Sequence, residues 1–242
     1  MSVKVMIISG LQKFSLLDFP GSIAAIVFTQ GCNFRCHYCY NPELVKISNT
    51  ESLKEKGHSR MSEGDFFSFL DSRIGKLDGI VVTGGEPTIH SDLPEFLEKI
   101  RNKKLKVKLD TNGTNPEMLK MLLQRKLLDY IAMDIKGAGE TYDEVVAVQP
   151  DLSQIKESII IIKESNLPYE FRSTLVPELH NKKKIQEMGE LIQGASKWYL
   201  QNLKTETNLL NEKFQNTKSF TTREMEELRQ AGEGFVKKCF IR

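Results

Sequence analysis

The chain has 242 residues, 40% hydrophobic and 27% charged, with a net charge of +2, the ordinary make-up of a water-soluble globular protein of about one domain's length. So balanced a charge gives no footprint for nucleic acid, and the densest basic tract, Lys182-Lys183-Lys184, opens a predicted helix and reads as a solvated face. No stretch approaches the roughly 20 apolar residues of a membrane span, and the apolar run in Met1 to Gly10 is too short for a signal-peptide core. The expected home is the cytoplasm, where thiols stay reduced, with neither nucleic acid nor membrane as a partner.

Val3 to Ile8 alternates weakly, and Phe14 to Gly21 carries the Pro20-Gly21 turn signal, so the start reads as a small antiparallel entry. Ile23 to Thr29 is nearly continuous in apolar residues, as a strand covered on both faces should be. Leu44 to Arg60 is polar and without period, a surface connection; Ser62 with Asp65 then signals a helix whose inner face is Phe66, Phe69, Leu70 and Ile74. Strands are predicted over Gly79 to Thr83, Leu105 to Leu109, Tyr130 to Met133, Tyr169 to Leu175 and Trp198 to Leu200. Helices fall between them, near Ser91 to Ile100, from Pro116, around Ile155 to Lys163 and over Ile185 to Ile192. Leu203 to Phe220 is mostly polar, and Thr221 with Glu224 opens a last helix through Met225, Leu228 and Phe235, a helical pattern that also takes in Cys239.

Six strands alternating with helices predict right-handed parallel βαβ units and an α/β fold class, two strands short of a closed eight-stranded barrel. The expected organisation is one domain over 1–242: an entry segment 1–22, a barrel core 23–202 and a C-terminal loop and helix 203–242.

Directly after the first core strand come Cys32, Cys36 and Cys39, with His37 and Tyr38 between the last two thiols. Three thiolates can grip three corners of a four-iron cube and leave one iron open to an outside ligand. A structural zinc site is the alternative, but it wants four closed ligands and usually a second pair downstream; here only the isolated Cys239 remains. A disulfide would leave one thiol over.

The other predicted strands end in Gly84-Gly85-Glu86, Asp110-Thr111-Asn112, Asp134-Ile135-Lys136, Arg172-Ser173-Thr174 and Gln201. Singly these are turns, caps and ion-pair partners; at the C-terminal ends of parallel strands they would open on one mouth, where an active site is built. Gly84 and Gly85 let the backbone approach a ligand, and Glu86 can accept from an ammonium group. Asp110 and Asn112 suit ribose hydroxyls or a cation, Arg172 suits a carboxylate, and Tyr38 suits a flat ring. Lys136, beside Asp134, pairs with a carboxylate or sits in water; His58, His90 and His180 read as surface residues.

Gly31-Cys32 through Asn41-Pro42-Glu43-Leu44, with Gly84-Gly85-Glu86-Pro87, Asp110-Thr111-Asn112-Gly113 and Asp134-Ile135-Lys136, resembles the glycyl-radical-enzyme activases of the radical S-adenosylmethionine (SAM) superfamily. Gly10-Leu11-Gln12-Lys13 through Asp18-Phe19-Pro20-Gly21 looks most like the branch that activates anaerobic ribonucleoside-triphosphate reductase. The resemblance covers roughly Gly10 to Gln201. It implies a partial (β/α)6 barrel of the TIM type and a [4Fe–4S] cluster on Cys32, Cys36 and Cys39. It also implies SAM bound near Gly84 to Glu86, and a possible monovalent cation at Asp110, Thr111 and Asp134. The implied chemistry is reductive cleavage of SAM and abstraction of a glycine hydrogen, with a glycyl radical enzyme as partner and a flavodoxin- or ferredoxin-type electron donor. Where the family often reads Cys-Pro-Tyr-Cys-His-Asn, this chain has Cys36-His37-Tyr38-Cys39-Tyr40-Asn41. Val176 to His180 lacks the glycines often found near the adenine. Two other readings stand beside this one: a radical SAM enzyme acting on a small molecule, and a non-enzymatic iron–sulfur or zinc module.

Overall fold

The structure, a computed structural model, describes residues 6–46, 60–139, 141–205 and 208–242. His58 and most of the Leu44 to Arg60 connection lie outside the described residues, as do Val3 to Val5. The chain divides into two compact units, the first Met1–Asn33, Glu43–Thr111 and Glu117–Ile131, the second Phe34–Pro42, Asn112–Pro116 and Ala132–Arg242.

In the first unit β1 (Ile8–Ser15) runs antiparallel to β2 (Ala24–Thr29), the expected entry hairpin. β2 pairs in parallel with β3 (Gly79–Gly84), and β3 with β4 (Lys106–Thr111). Phe19, Ala24, Ile26, Val81 and Tyr130 form a buried cluster in which Phe19 meets Tyr130 edge-on, ring centres 6.1 Å apart. Short α1 (Pro42–Val45) supplies the carbonyls that accept from Gly31 and Cys32, just past the end of β2. α2 (Glu63–Asp71) starts where Ser62 accepts from the Asp65 amide, and Phe66 stacks on Phe96 of α3 (Leu93–Asn102) at 5.3 Å. α4 (Pro116–Gln124) begins on its proline, whose missing N–H costs nothing in a first turn.

β5 (Tyr130–Asp134) begins in the first unit and ends in the second. The second unit continues with β6 (Tyr169–Leu175), β7 (Trp198–Asn202) and β8 (Cys239–Ile241), paired in parallel in that order. Its helices are α5 (Thr141–Val146), α6 (Leu152–Glu164), α7 (Lys182–Leu191) and α8 (Thr222–Glu233), the last opened by the Thr221/Glu224 capping box read from the sequence. Trp198 is fully buried and donates its indole N–H to Ser173 Oγ at 2.9 Å, while a Cβ on Gly232 of α8 would lie 2.7 Å from the indole ring. Two expectations are corrected here. Cys239 is a strand residue, not a helical one, because α8 stops before Gly234 and the chain pairs with Trp198. His90 and His180 are buried, not surface residues.

Candidate functional site

The first thiol is set by backbone. Gly31, at φ +98°, donates its N–H to Leu44 O at 2.7 Å, and Cys32 N–H donates to Val45 O at 3.1 Å. Against this turn lies the glycine pair: Gly85 N–H donates to Thr29 O at 2.9 Å and Glu86 N–H to Gly31 O at 2.8 Å. A Cβ on Gly85 would fall 2.0 Å from Gly31 O, and one on Gly84, at φ +123°, 2.2 Å from Thr29 N. The glycines thus permit close approach, as expected, but what they approach here is the backbone that leads into Cys32.

Glu86 is buried at 1% exposure, and its Oε1 accepts from Thr88 N–H (3.1 Å), Thr88 hydroxyl (2.6 Å) and Thr111 hydroxyl (2.7 Å). That oxygen caps the 3-10 turn Pro87–Ile89 and ties it to β4. On the other face of β4, Asp110 Oδ1 accepts from the Lys108 ammonium at 2.5 Å. Lys108 is a buried lysine that the sequence reading passed over, since a lysine in an alternating strand is normally taken as solvated.

In the second unit Cys39 N–H donates to Cys36 O at 3.1 Å, closing a turn on the two thiols. A strap of residues 204–205 and 208–214 runs against this turn. Leu210 N–H donates to Cys39 O (3.2 Å), Asn211 N–H to His37 O (3.1 Å), and Lys204 N–H to Tyr40 Oη (2.8 Å). His37 Nδ1 lies 3.0 Å from Asn211 Nδ2, and the imidazole stacks on Phe214 at 5.1 Å. Because Asn211 Oδ1 accepts from Lys213 N–H, the amide nitrogen faces His37, so Nδ1 is the acceptor and the ring proton sits on Nε2.

Tyr38 is buried, with His180 edge-on at 6.4 Å and the Lys136 ammonium 5.9 Å above its ring; its hydroxyl has no partner among the described residues. In the structure the tyrosine ring packs between these two side chains. Lys136 Nζ pairs with Asp134 Oδ2 at 3.1 Å, and Arg172 Nε with Asp134 Oδ1 at 2.9 Å. Burial alone would raise the Asp134 carboxyl, but Arg172 and Lys136 overturn it and hold its pKa at about 2. Burial likewise opposes the Lys136 charge, yet Asp134 keeps the ammonium well above its ordinary range. Burial pushes the Cys36 thiol up to about 11 against the pull of Lys136. His180 accepts Val176 N–H at Nδ1 (3.1 Å) and faces Lys136 O with Nε2 (3.1 Å), which fixes it as the Nε2–H tautomer. Asn112 turns its Oδ1 back to Thr114 N–H and hydroxyl at 3.1 and 2.7 Å, shaping the loop after β4.

All four cysteines are unbridged. Cys239 lies on β8 with Arg229, Glu233 and Glu226 of α8 as its charged neighbours, apart in sequence from the thiols of the 32–39 loop. Three thiols are the donor number that a cubane with one open iron takes, and His37, the residue that would close a four-ligand zinc site, has one nitrogen and its ring face committed to the strap. Among the described residues no three His, Cys, Asp or Glu side chains are gathered closely enough to hold a metal ion, the three thiols included, so the triad is marked by its spacing in the sequence.

Residues 26–192 match the pattern of the Radical SAM superfamily. This chain belongs to that superfamily. Radical SAM proteins use a [4Fe–4S] cluster and S-adenosylmethionine, and their fold is the partial (β/α)6 barrel expected from the sequence. The radical SAM chain is 30% identical over 241 residues to MJ1227 of Methanocaldococcus jannaschii, named as a candidate glycyl-radical enzyme activating enzyme, covering 98% of this chain and 95% of that one. It is 27% identical over 197 residues to the pyruvate formate-lyase-activating enzyme of Streptococcus mutans, covering 77% and 72%. Among solved structures, Streptococcus suis SuiB bound to its precursor peptide SuiA aligns at TM-score 0.65 and 13% identity, over 89% of this chain and 47% of that one. The chain therefore spans about half of SuiB's length. TYW1 with a lysine-pyruvate adduct aligns at 0.54 and 14%, over 86% and 72%. These two likenesses establish a shared fold and nothing finer. Among the described residues no helix is long and apolar enough to cross a membrane.

Proposed function

We propose that this protein activates a glycyl-radical enzyme, with Cys32, Cys36 and Cys39 as the cluster ligands and anaerobic ribonucleoside-triphosphate reductase as the partner. The observation that carries the reading is a likeness running nearly the whole length of a protein named as a candidate activating enzyme, 98% of this chain on 95% of MJ1227, with the three-thiol loop inside it. The entry stretch Gly10 to Gly21 is what favours the reductase as partner.

When bound, the cluster and SAM supply the one-electron reduction and the carbon-centred oxidant that removing a glycine hydrogen requires. The chain's own residues prepare the place. The Gly84-Gly85 backbone and α1 hold the entry to Cys32, and the strap holds the carbonyls on either side of Tyr38. Burial around Cys36 keeps water away from a thiol that must lose its proton to bind iron; that burial itself opposes the loss, and the Lys136 ammonium favours it. Arg172 and Lys136, both cationic, suit the SAM carboxylate, while Asp134 fixes their positions. Glu86, Asp110 and Asn112 are proposed to meet the SAM amino group and ribose.

The test is to mix reduced, reconstituted protein with SAM, a flavodoxin- or ferredoxin-type donor and the candidate reductase. A glycine-centred doublet in electron paramagnetic resonance is expected. One zinc per chain with no sulfide after anaerobic purification rejects the enzyme reading; 5′-deoxyadenosine formed equally without any glycyl radical protein rejects the partner class.

A further inference from the structure

The monovalent cation implied by the family resemblance would sit on Asp110, Thr111 and Asp134; both carboxylates already have a cationic partner within their own unit, and the Thr111 hydroxyl donates to a carboxylate. Lys108 and Asp110 are two residues apart on β4 and so share a face. The Lys108 ammonium reaches Asp110 Oδ1 at 2.5 Å, with side chains only 1% and 13% exposed, and lies 5.9 Å over the Tyr130 ring, a second anchor for its charge. Thr111, on the opposite face, gives its hydroxyl proton to Glu86 Oε1. In the second unit Asp134 spends one oxygen on Arg172 and the other on Lys136. An alkali ion entering at Asp110 would sit beside the Lys108 ammonium in surroundings that screen little of the repulsion, and one entering at Asp134 would sit beside both an ammonium and a guanidinium. The residues do not fit the ion.

We propose that Lys108 is the built-in counter-ion of Asp110, a tethered ammonium in the role of a diffusible alkali ion, so that this chain binds SAM without sodium or potassium. An ammonium is a compact charge with three rotatable donors, which lets it stand in for a spherical cation where a guanidinium fork would not. The proposal rests on Asp110 belonging to the SAM site, as proposed above.

The experiment compares reconstituted wild type and Lys108→Met in tetramethylammonium and in potassium buffers, reading SAM affinity from the change in the cluster's paramagnetic spectrum. Equilibrium dialysis with radioactive rubidium measures ion binding directly, with or without SAM. Wild type is expected to hold no stoichiometric rubidium and to bind SAM within about twofold in both buffers. Lys108→Met is expected to gain a rubidium site and to bind SAM about tenfold more tightly in potassium, the equivalent of one modest charge interaction. Stoichiometric rubidium on wild type, or a tenfold loss of its SAM affinity without alkali ions, overturns the proposal. Should Lys108→Met fail to fold, Lys108→Met/Asp110→Asn removes the stranded carboxylate, and rubidium binding by this charge-free pair would also overturn it. Failure to bind SAM in any buffer refutes the functional reading, while dialysis still decides whether the lysine excludes the ion.

Discussion

Replacing Asp134 by asparagine takes away the one carboxylate that Arg172 and Lys136 share. Burial would raise that carboxyl, yet Arg172 and Lys136 bring it to about 2. Set against an unfolded value near about 3.9, the gap corresponds to roughly 2 to 3 kcal/mol of native stability at neutral pH. The side chain keeps 30% of its surface, which brings the expected loss to the low end, about 2 kcal/mol. A depressed carboxyl contributes in full above about pH 4 and loses its contribution as pH falls toward about 2. Urea unfolding of the reduced, metal-free protein should therefore show a gap of about 2 kcal/mol between wild type and Asp134→Asn at neutral pH, or about 4 to 8 °C in Tm for a chain of this size. The gap should shrink on going below about pH 4. A gap under about 0.5 kcal/mol at neutral pH, or one unchanged at the acidic end, would refute the assignment of Asp134 as the keystone of this charge cluster.

Gly85→Ala is expected to cost about 3 kcal/mol or more, because its Cβ meets backbone that cannot rotate away, while Gly139→Ala, at φ +54° with nothing within 4 Å, should cost only about 1 kcal/mol; equal losses in chemical denaturation would show that the close approach is not what demands glycine at 85. Cys36→Ala should abolish bound iron and sulfide after reconstitution, and Cys239→Ala should leave both unchanged; iron loss in the second variant would contradict its placement on β8. His180, its pKa lowered by burial, is neutral in the fold, so its share of stability is complete above about pH 6.5 and falls on acidification from there. His180→Gln should flatten the urea-midpoint profile just below that pH, and an unaltered slope would mean another group titrates there.

How much could be read beforehand depended on length and pattern. β2 through β6 were visible as stretches of four to seven residues rich in apolar side chains, and the N-caps Ser62 and Thr221 announced their helices. β8 escaped because three residues following a helix carry no period, and its pairing with β7 is set by packing of α8 on Trp198. The thiol triad was legible from spacing alone. What surrounds it was not: the burial of Lys108 depends on Asp110 and Tyr130 arriving on the same side of β4, and the burial of His180 on two backbone groups that only the folded loop brings to its ring. Tyr40, noted as a departure from the usual family residue, acquired its reason only from the Lys204 amide that donates to it.

The strap draws its hydrogen bonds to the thiol loop from residues 204, 210 and 211, beyond the stretch 26–192 by which the superfamily is recognised. Two relatives could thus share every diagnostic residue and still hold their cysteines with different stiffness, since the tail after β7 supplies the splint. Variation there offers evolution a way to retune the metal's surroundings while the signature sequence stays untouched.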